Sequence, residues 1–275
     1  LEQILFKDVV DELVFATDLK QVPDVVKIVE LADEMGIAVR ILPQWNIRRL
    51  GINPRIGSMK YENFLGVPTL GFDSTPENRG EMVFKTILDY LVALGGMILT
   101  LPLWIVAAVG IKLVSPGGPV LYKQTRVGQN GREFTLYKFR TMVHDAAEHL
   151  GEVAHLNEVN GPAFKARHDP RVTPIGQWLR RWSLDELPQL VNVLKGEMSL
   201  VGPRPERPVY VEQFRRSIPR YMERHREKAG LTGWAQVNDL RGDTSISERT
   251  KYDLWYIERW SLMIDIKIMI RTLLR

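Results

Sequence analysis

From Val9 to Leu42 the apolar positions change period twice. Val9-Val10-Asp11-Glu12-Leu13-Val14-Phe15-Ala16 has the length and composition of a strand and ends in a turn. From Pro23 to Met35, apolar residues at Val25, Val26, Ile28, Val29 and Leu31 predict a helix, and Gly36 is a natural stop. Ile37-Ala38-Val39-Arg40-Ile41-Leu42 reads as a second strand. Strand, helix and strand together predict a small α/β unit with parallel strands, assigned to residues 1–80. It carries no G-x-G-x-x-G loop, so the expectation is a structural or regulatory role rather than nucleotide binding.

The period then disappears. Tyr90 to Ile111 is a run of 22 residues without a charge. As a helix it is about 33 Å long, against a bilayer core of about 30 Å. A soluble helix of that length shows a polar face, so residues 81–114 are predicted to enter a membrane. Pro102 removes a backbone donor near the middle and predicts a kink. Arg79 and Lys85 flank one end; Lys112, Lys123 and Arg126 flank the other. Positive charge on both sides suits a helix–break–helix that enters and leaves by one face, a re-entrant helix, with the Thr100 hydroxyl helping to satisfy freed carbonyls.

Residues 115–275 are polar, basic and dense in short motifs. Ser115-Pro116-Gly117-Gly118-Pro119 marks a turn. Val120–Tyr122 and Phe134–Tyr137 predict short strands around Gly128-Gln129-Asn130-Gly131. Helices are expected at about 176–181, 186–194, 209–213 and 247–257. From Trp255 onward, aromatic and aliphatic residues mix with Lys267, Arg271 and Arg275, a pattern shared by interfacial helices and helices packed on a core.

Composition narrows the chemistry. With 45% hydrophobic and 25% charged residues, the 275-residue chain is expected to fold. A formal net charge of +4 suits an anionic partner without choosing among nucleotide, phospholipid and nucleic acid. The absence of cysteine excludes disulfides, thiolate metal sites and thiol nucleophiles. The chain opens on Leu1 rather than Met, and the expectation is that it is part of a longer protein.

The strongest chemical signal is Leu179-Arg180-Arg181-Trp182-Ser183-Leu184-Asp185-Glu186-Leu187-Pro188-Gln189-Leu190. Pro188 predicts a helix starting near Asp185, which puts Asp185 and Glu186 where free amides favour negative charge. Adjacent carboxylates point in different directions, so one can face a phosphorus while the other holds a metal. Ser183 and Glu186 also fit an ordinary capping box. Lys138 and Arg140 alternate in Tyr137-Lys138-Phe139-Arg140-Thr141-Met142, and Arg204 is braced between Pro203 and Pro205. Each is a candidate phosphate ligand and, alone, equally a solvated surface charge. Gly230-Leu231-Thr232-Gly233-Trp234-Ala235-Gln236-Val237-Asn238 offers the amides of Gln236 and Asn238 to a base or sugar, or forms a tight structural turn.

Taken in order, the Lys138–Arg140 motif, Ser183–Gln189, Met198–Pro205, Gly230–Asn238 and Asp265-Ile266-Lys267-Ile268 resemble the bacterial sugar transferases, the monotopic polyprenyl-phosphate phosphoglycosyl transferases. The resemblance covers about Met82 to Arg275, and residues 1–80 resemble half of the Rossmann-like domain of the family's long members. The implied fold is a partial Rossmann-like α/β unit followed by a mainly α monotopic membrane catalytic domain, with a re-entrant helix at 81–114 and short strands in the catalytic part at 115–275. The implied reaction moves hexose 1-phosphate from a UDP-sugar, UDP-glucose or UDP-galactose, to undecaprenyl phosphate. Asp185 is then the nucleophile, Glu186 the ligand of Mg2+, and Arg180, Lys138, Arg140 and Arg204 the phosphate ligands. The implied setting is the cytoplasmic face of the bacterial inner membrane, with membrane lipid as a partner and nucleic acid excluded; a homodimer and further N-terminal transmembrane helices are compatible with the long form. The family's re-entrant break at Ser-Pro is Leu101-Pro102 here, with Thr100 one position earlier. Two rivals are a membrane-anchored phosphohydrolase and a lipid-binding scaffold.

Overall fold

The computed structural model describes residues 9–16, 22–41, 58–65, 67–73, 79–158, 166, 168–240 and 244–274. The chain opens with β1 (Glu12–Phe15), α1 (Val25–Glu34), β2 (Ala38–Ile41), β3 (Ser58–Phe64) and β4 (Val67–Asp73). The long helix α2 (Arg79–Val114) follows, then β5 (Leu121–Val127) and β6 (Glu133–Phe139). The remaining helices are α3 (Leu150–Val153), α4 (Pro174–Arg181), α5 (Gln189–Leu194), α6 (Pro208–Ser217), α7 (Trp234–Val237), α8 (Ile246–Glu258) and α9 (Leu262–Leu273). These elements form two compact units, one of residues 1–84, 127–133 and 201–275, the other of 85–126 and 134–200.

In the first unit the predicted strand–helix–strand is present. β1 and β2 pair in parallel, with Leu13 opposite Val39 and Phe15 opposite Ile41. Val25, Ile28, Val29 and Ala32, spaced three and four apart, bury one face of α1 against Phe15, Val39 and Ile41. Leu42, expected to extend β2, lies outside the described residues. The sheet continues as β1-β2-β4-β3, with β4 antiparallel to both neighbours. This hairpin is absent from the sequence expectation, although the alternation through Met59-Lys60-Tyr61-Glu62 is a strand signal. It makes the sheet mixed, where the strand–helix–strand reading predicts parallel strands. The Arg226 guanidinium donates to the Asp33 carbonyl at 2.6 Å, tying α1 to the 3-10 segment Tyr221–Arg226.

α2 corrects the expected break. It is helical throughout its 36 residues, with Pro102 inside it. The Thr100 hydroxyl donates to the Gly96 carbonyl at 2.7 Å and accepts from Trp104 Nε1 at 3.2 Å. Thr100 thus bonds back into its own helix, which bends helices without ending them. The helix is long and apolar enough to cross a membrane, and only 11% of its most apolar window is buried. A soluble core helix would be mostly buried; here Leu99 is 82% exposed.

In the second unit both ends of α2 pack: Asp89 and Ala93 are buried, with Asp89 Oδ1 accepting from Leu200 N at 3.1 Å, and the C-terminal part joins an apolar cluster. Ala107 and Ile111 meet Phe139 of β6 and Leu179 of α4, with Trp104, Ile175, Leu184 and Leu187 around them. Trp104 and Phe139 stand edge to face at 5.4 Å. β5 and β6 form the predicted two-stranded sheet, and Asn130 and Gly131 take left-handed backbone at its turn.

Candidate active site

The acidic pair is held by three short pieces of the second unit. β6 carries Lys138. α4 carries Arg180, and its start is fixed by sequence: Thr173 accepts from Gly176 N at 3.1 Å, and Pro174 takes the first turn. A Cβ on Gly176 would sit 2.0 Å from the Thr141 carbonyl oxygen, so glycine lets α4 seat directly on the backbone that follows β6. Ser183 is left-handed at φ 54 and turns the chain into the 3-10 segment Leu184–Glu186, which holds Asp185 and Glu186.

Two expectations are corrected here. The helix begins at Gln189, not near Asp185, and Pro188 stands at its N-cap. The capping box is absent: Ser183 makes no side-chain cap bond, and its carbonyl accepts from Glu186 N at 3.2 Å. The left-handed backbone of Ser183 is the physical reason, since an N-cap uses extended backbone. Such a conformation costs about 1 kcal/mol or more in a non-glycine residue.

Glu186 instead pairs with Lys138, Nζ to Oε1 at 2.7 Å. Asp185 stands among Lys138, Arg180 and Glu186. Burial raises its pKa above the usual carboxylate range; Glu186 adds to the rise, while Lys138 and Arg180 oppose it. Arg180 Nε donates to the Thr141 hydroxyl at 2.9 Å. Desolvation lowers the Arg180 pKa, with Asp185 and Asp169 pulling the other way. The site therefore gathers two carboxylates, an ammonium and a guanidinium around a partly desolvated Asp185.

Four supporting residues were missed from sequence. Thr141 holds Arg180. Asp169 and Arg171 form a buried pair at 2.7 Å, and the Asp169 carboxylate, held low by Arg171, also faces Arg180. The Asp169-Pro170 turn, with Arg171 N donating to Asp169 Oδ1 at 3.0 Å, is a readable sequence signal. Asn192 on α5 is buried and brackets β6: Oδ1 accepts from Tyr137 N at 3.1 Å and Nδ2 donates to the Thr135 carbonyl at 2.7 Å. It fixes the strand just before Lys138, and no local motif announces it.

The other predicted ligands are placed differently. Arg140 turns to the Ser115 carbonyl and is 6% exposed; Nε and Nη1 have no hydrogen-bond partner among the described residues. Arg204, Gln236 and Asn238 belong to the first unit. Arg204 is anchored through its carbonyl, which accepts from Arg224 Nη2 at 2.8 Å. Asn238 Nδ2 donates to the Trp234 carbonyl at 2.7 Å, and Gln236, 3% exposed, donates to the Leu231 carbonyl. Those donors brace their own loop. Close backbone packing agrees: a Cβ on Gly233 would lie 2.2 Å from the Gly202 oxygen.

No cluster of three or more metal-ligating side chains occurs among the described residues. A dedicated protein cage is thus not described there. The adjacent carboxylates of Asp185 and Glu186 do fit Mg2+, which takes one or two carboxylates and completes its shell with substrate phosphates and water.

The same residues lie inside a recognised sequence family. Residues 80–275 match the model of the bacterial sugar transferases. The UDP-glucose:undecaprenyl-phosphate glucose-1-phosphate transferase of Escherichia coli is 41% identical over 220 residues, 78% of this chain and 45% of that protein. A protein of the same name from Caulobacter vibrioides is 45% identical over 194 residues, covering 68% of this chain and 67% of its own. The undecaprenyl-phosphate galactose phosphotransferase of Salmonella typhimurium is 38% identical over 198 residues, 70% of this chain and 40% of that protein. The chain spans less than half the length of the Escherichia coli and Salmonella proteins. With most of its length matched, including the Asp185–Glu186 turn and the helix before it, the chain belongs to the bacterial sugar transferase family.

Proposed function

We propose that this chain transfers hexose 1-phosphate from a UDP-sugar to undecaprenyl phosphate, with Asp185 as the nucleophile. The carrying observation is the setting of Asp185: a desolvated carboxylate faced by Lys138 and Arg180, in the unit that holds most of an exposed apolar helix. Desolvation makes a carboxylate more reactive toward phosphorus, and the two cations favour its ionised form and would attract the pyrophosphate. The relatives' names supply the donor and acceptor classes, glucose or galactose 1-phosphate and the polyprenyl carrier.

An Asp185 oxygen attacks the sugar-linked phosphorus. The bond to the bridging oxygen breaks, and UMP leaves with the electron pair. An oxygen of the lipid phosphate then attacks the aspartyl phosphosugar and returns the Asp185 carboxylate. Two displacements at one phosphorus imply ping-pong kinetics. Glu186 would hold Mg2+, whose charge would offset that of the pyrophosphate. Arg180, fixed by Thr141, orients a phosphate oxygen through its remaining donors. α2 inserts in the bilayer and holds the site where a soluble and a lipid substrate meet. UDP-sugars are cytosolic, which puts the site on the cytoplasmic face.

The test is UMP release with Mg2+ and a panel of UDP-sugars, with and without undecaprenyl phosphate. Turnover that needs the lipid and follows one sugar is expected. Asp185→Asn should remove it by at least about a thousand-fold, as loss of a nucleophile does. Lipid-independent release of sugar phosphate would make the chain a hydrolase instead.

A further inference from the structure

α4 leads into the Asp185 turn, and it keeps two indoles in the open. Ile175 and Leu179 of α4 face the core with Ala107 and Ile111 of α2. A Cβ on Gly110 would sit 3.1 Å from Ile175, so the two helices are in close contact. Trp178 and Trp182 follow on the same apolar stripe, three and seven residues after Ile175, yet they are 39% and 63% exposed. α2 exposes Val106, Val109 and Leu113, which flank Gly110 in sequence. The two indoles thus add exposed apolar area to a helix that packs directly on α2, while Gln177, Arg180 and Arg181 are its exposed polar positions.

This composition selects one kind of partner. An indole has a large apolar body and one N–H, and it gains most where hydrocarbon gives way to polar headgroups. Arginines beside it suit lipid phosphates. A soluble protein partner would not need the patch to run on into a helix of bilayer length.

We propose that α4 lies in the headgroup layer of the bilayer, with Trp178 and Trp182 as anchors that set the depth of Asp185 against the acceptor's phosphate. This rests on the reading that α2 inserts in the membrane and that Asp185 acts on a lipid phosphate. The two residues are positioning residues and do not touch the reacting atoms.

The chain has no cysteine, so a single one can be labelled without background. Trp178→Cys, Trp182→Cys and, as a polar-face control, Gln177→Cys are made in this 275-residue chain. Each is labelled with an environment-sensitive fluorophore in vesicles of phosphatidylethanolamine and phosphatidylglycerol. Labels at 178 and 182 should be quenched by lipids spin-labelled near the headgroup and shielded from aqueous iodide; the label at 177 should show the reverse. In kinetics, Trp178→Ala with Trp182→Ala should raise the KM for the polyprenyl phosphate by about ten-fold and leave the donor KM unchanged. Trp→Tyr at both positions should restore most of it, and unchanged thermal melting shows that the fold survives. Iodide access at 178 and 182 overturns the proposal, as does a rise in donor KM alone, which would make the indoles a stacking platform for the nucleotide base. If the wild-type protein turns over no UDP-sugar, the proposed reaction fails, and the quenching data still decide the seating of α4.

Discussion

Asp185 is poised between burial, which disfavours its charge, and Lys138 and Arg180, which favour it. Its pKa is raised above the ordinary carboxylate value, so the ionised form that the proposed reaction requires is lost as pH falls through that raised value. Lys138→Met removes a group that lowers it, and the acid limb of kcat/KM for UMP release should move to higher pH. A limb that stays or moves down would separate Lys138 from the nucleophile. Stability follows the same sign: a raised carboxyl pKa means the folded state is penalised as the group ionises, so stability is lost as pH rises. Asp185→Asn should therefore raise Tm while it removes turnover. Arg224 is the contrasting case. Its guanidinium donates to Asp253 at 2.7 Å, to the Tyr221 hydroxyl at 3.1 Å and to the Arg204 carbonyl at 2.8 Å, all in the first unit. Arg224→Met leaves Asp253 buried without its cation, which costs about 3–5 kcal/mol. A lower Tm in detergent, partly recovered by adding Asp253→Leu, is the expected outcome.

At the scale of elements, the site depends on how closely α4 approaches the chain leaving β6. Thr141 does two jobs there: its carbonyl accepts from Thr173 N at 3.0 Å, and its hydroxyl accepts from Arg180. Gly176→Ala would put a methyl group into that carbonyl and push α4 outward. We expect a loss of about 1–3 kcal/mol from overpacking. A rise in KM for the UDP-sugar should accompany it, because Arg180 moves with the helix. Steady-state kinetics and a thermal melt on one preparation read both effects.

At the scale of the molecule, the long helix α2 sets where the protein can reside. An apolar helix with side chains as open as Leu99 has no soluble partner among the described residues. Leu99→Lys places a charge near the middle of the uncharged run, at a cost of roughly 2.5–3.5 kcal/mol for insertion. Alkaline carbonate should then release the variant from membranes that retain the wild type. Much of this was legible locally. The strand–helix–strand at the N-terminus, the apolar run, the β5–β6 hairpin and the Asp185–Glu186 motif each rest on period, length or turn residues within a few positions of one another. What stayed hidden depends on contacts distant in sequence. The Thr141–Arg180 bond, the Lys138–Glu186 pair and the Asn192 bracket on Thr135 join residues 39, 48 and 57 apart. The antiparallel addition of β4 to β2 likewise skips over β3. The left-handed turn at Ser183, which sent Glu186 to Lys138 instead of to a cap, is decided by the same packing. Sequence by itself determined most of the elements, though not the β3–β4 hairpin or the start of α5, and it determined the chemistry available and the family, because those follow from local pattern and motif order. Only the tertiary structure decided which charges meet, because that depends on how α4, β6 and the acidic turn close on one another.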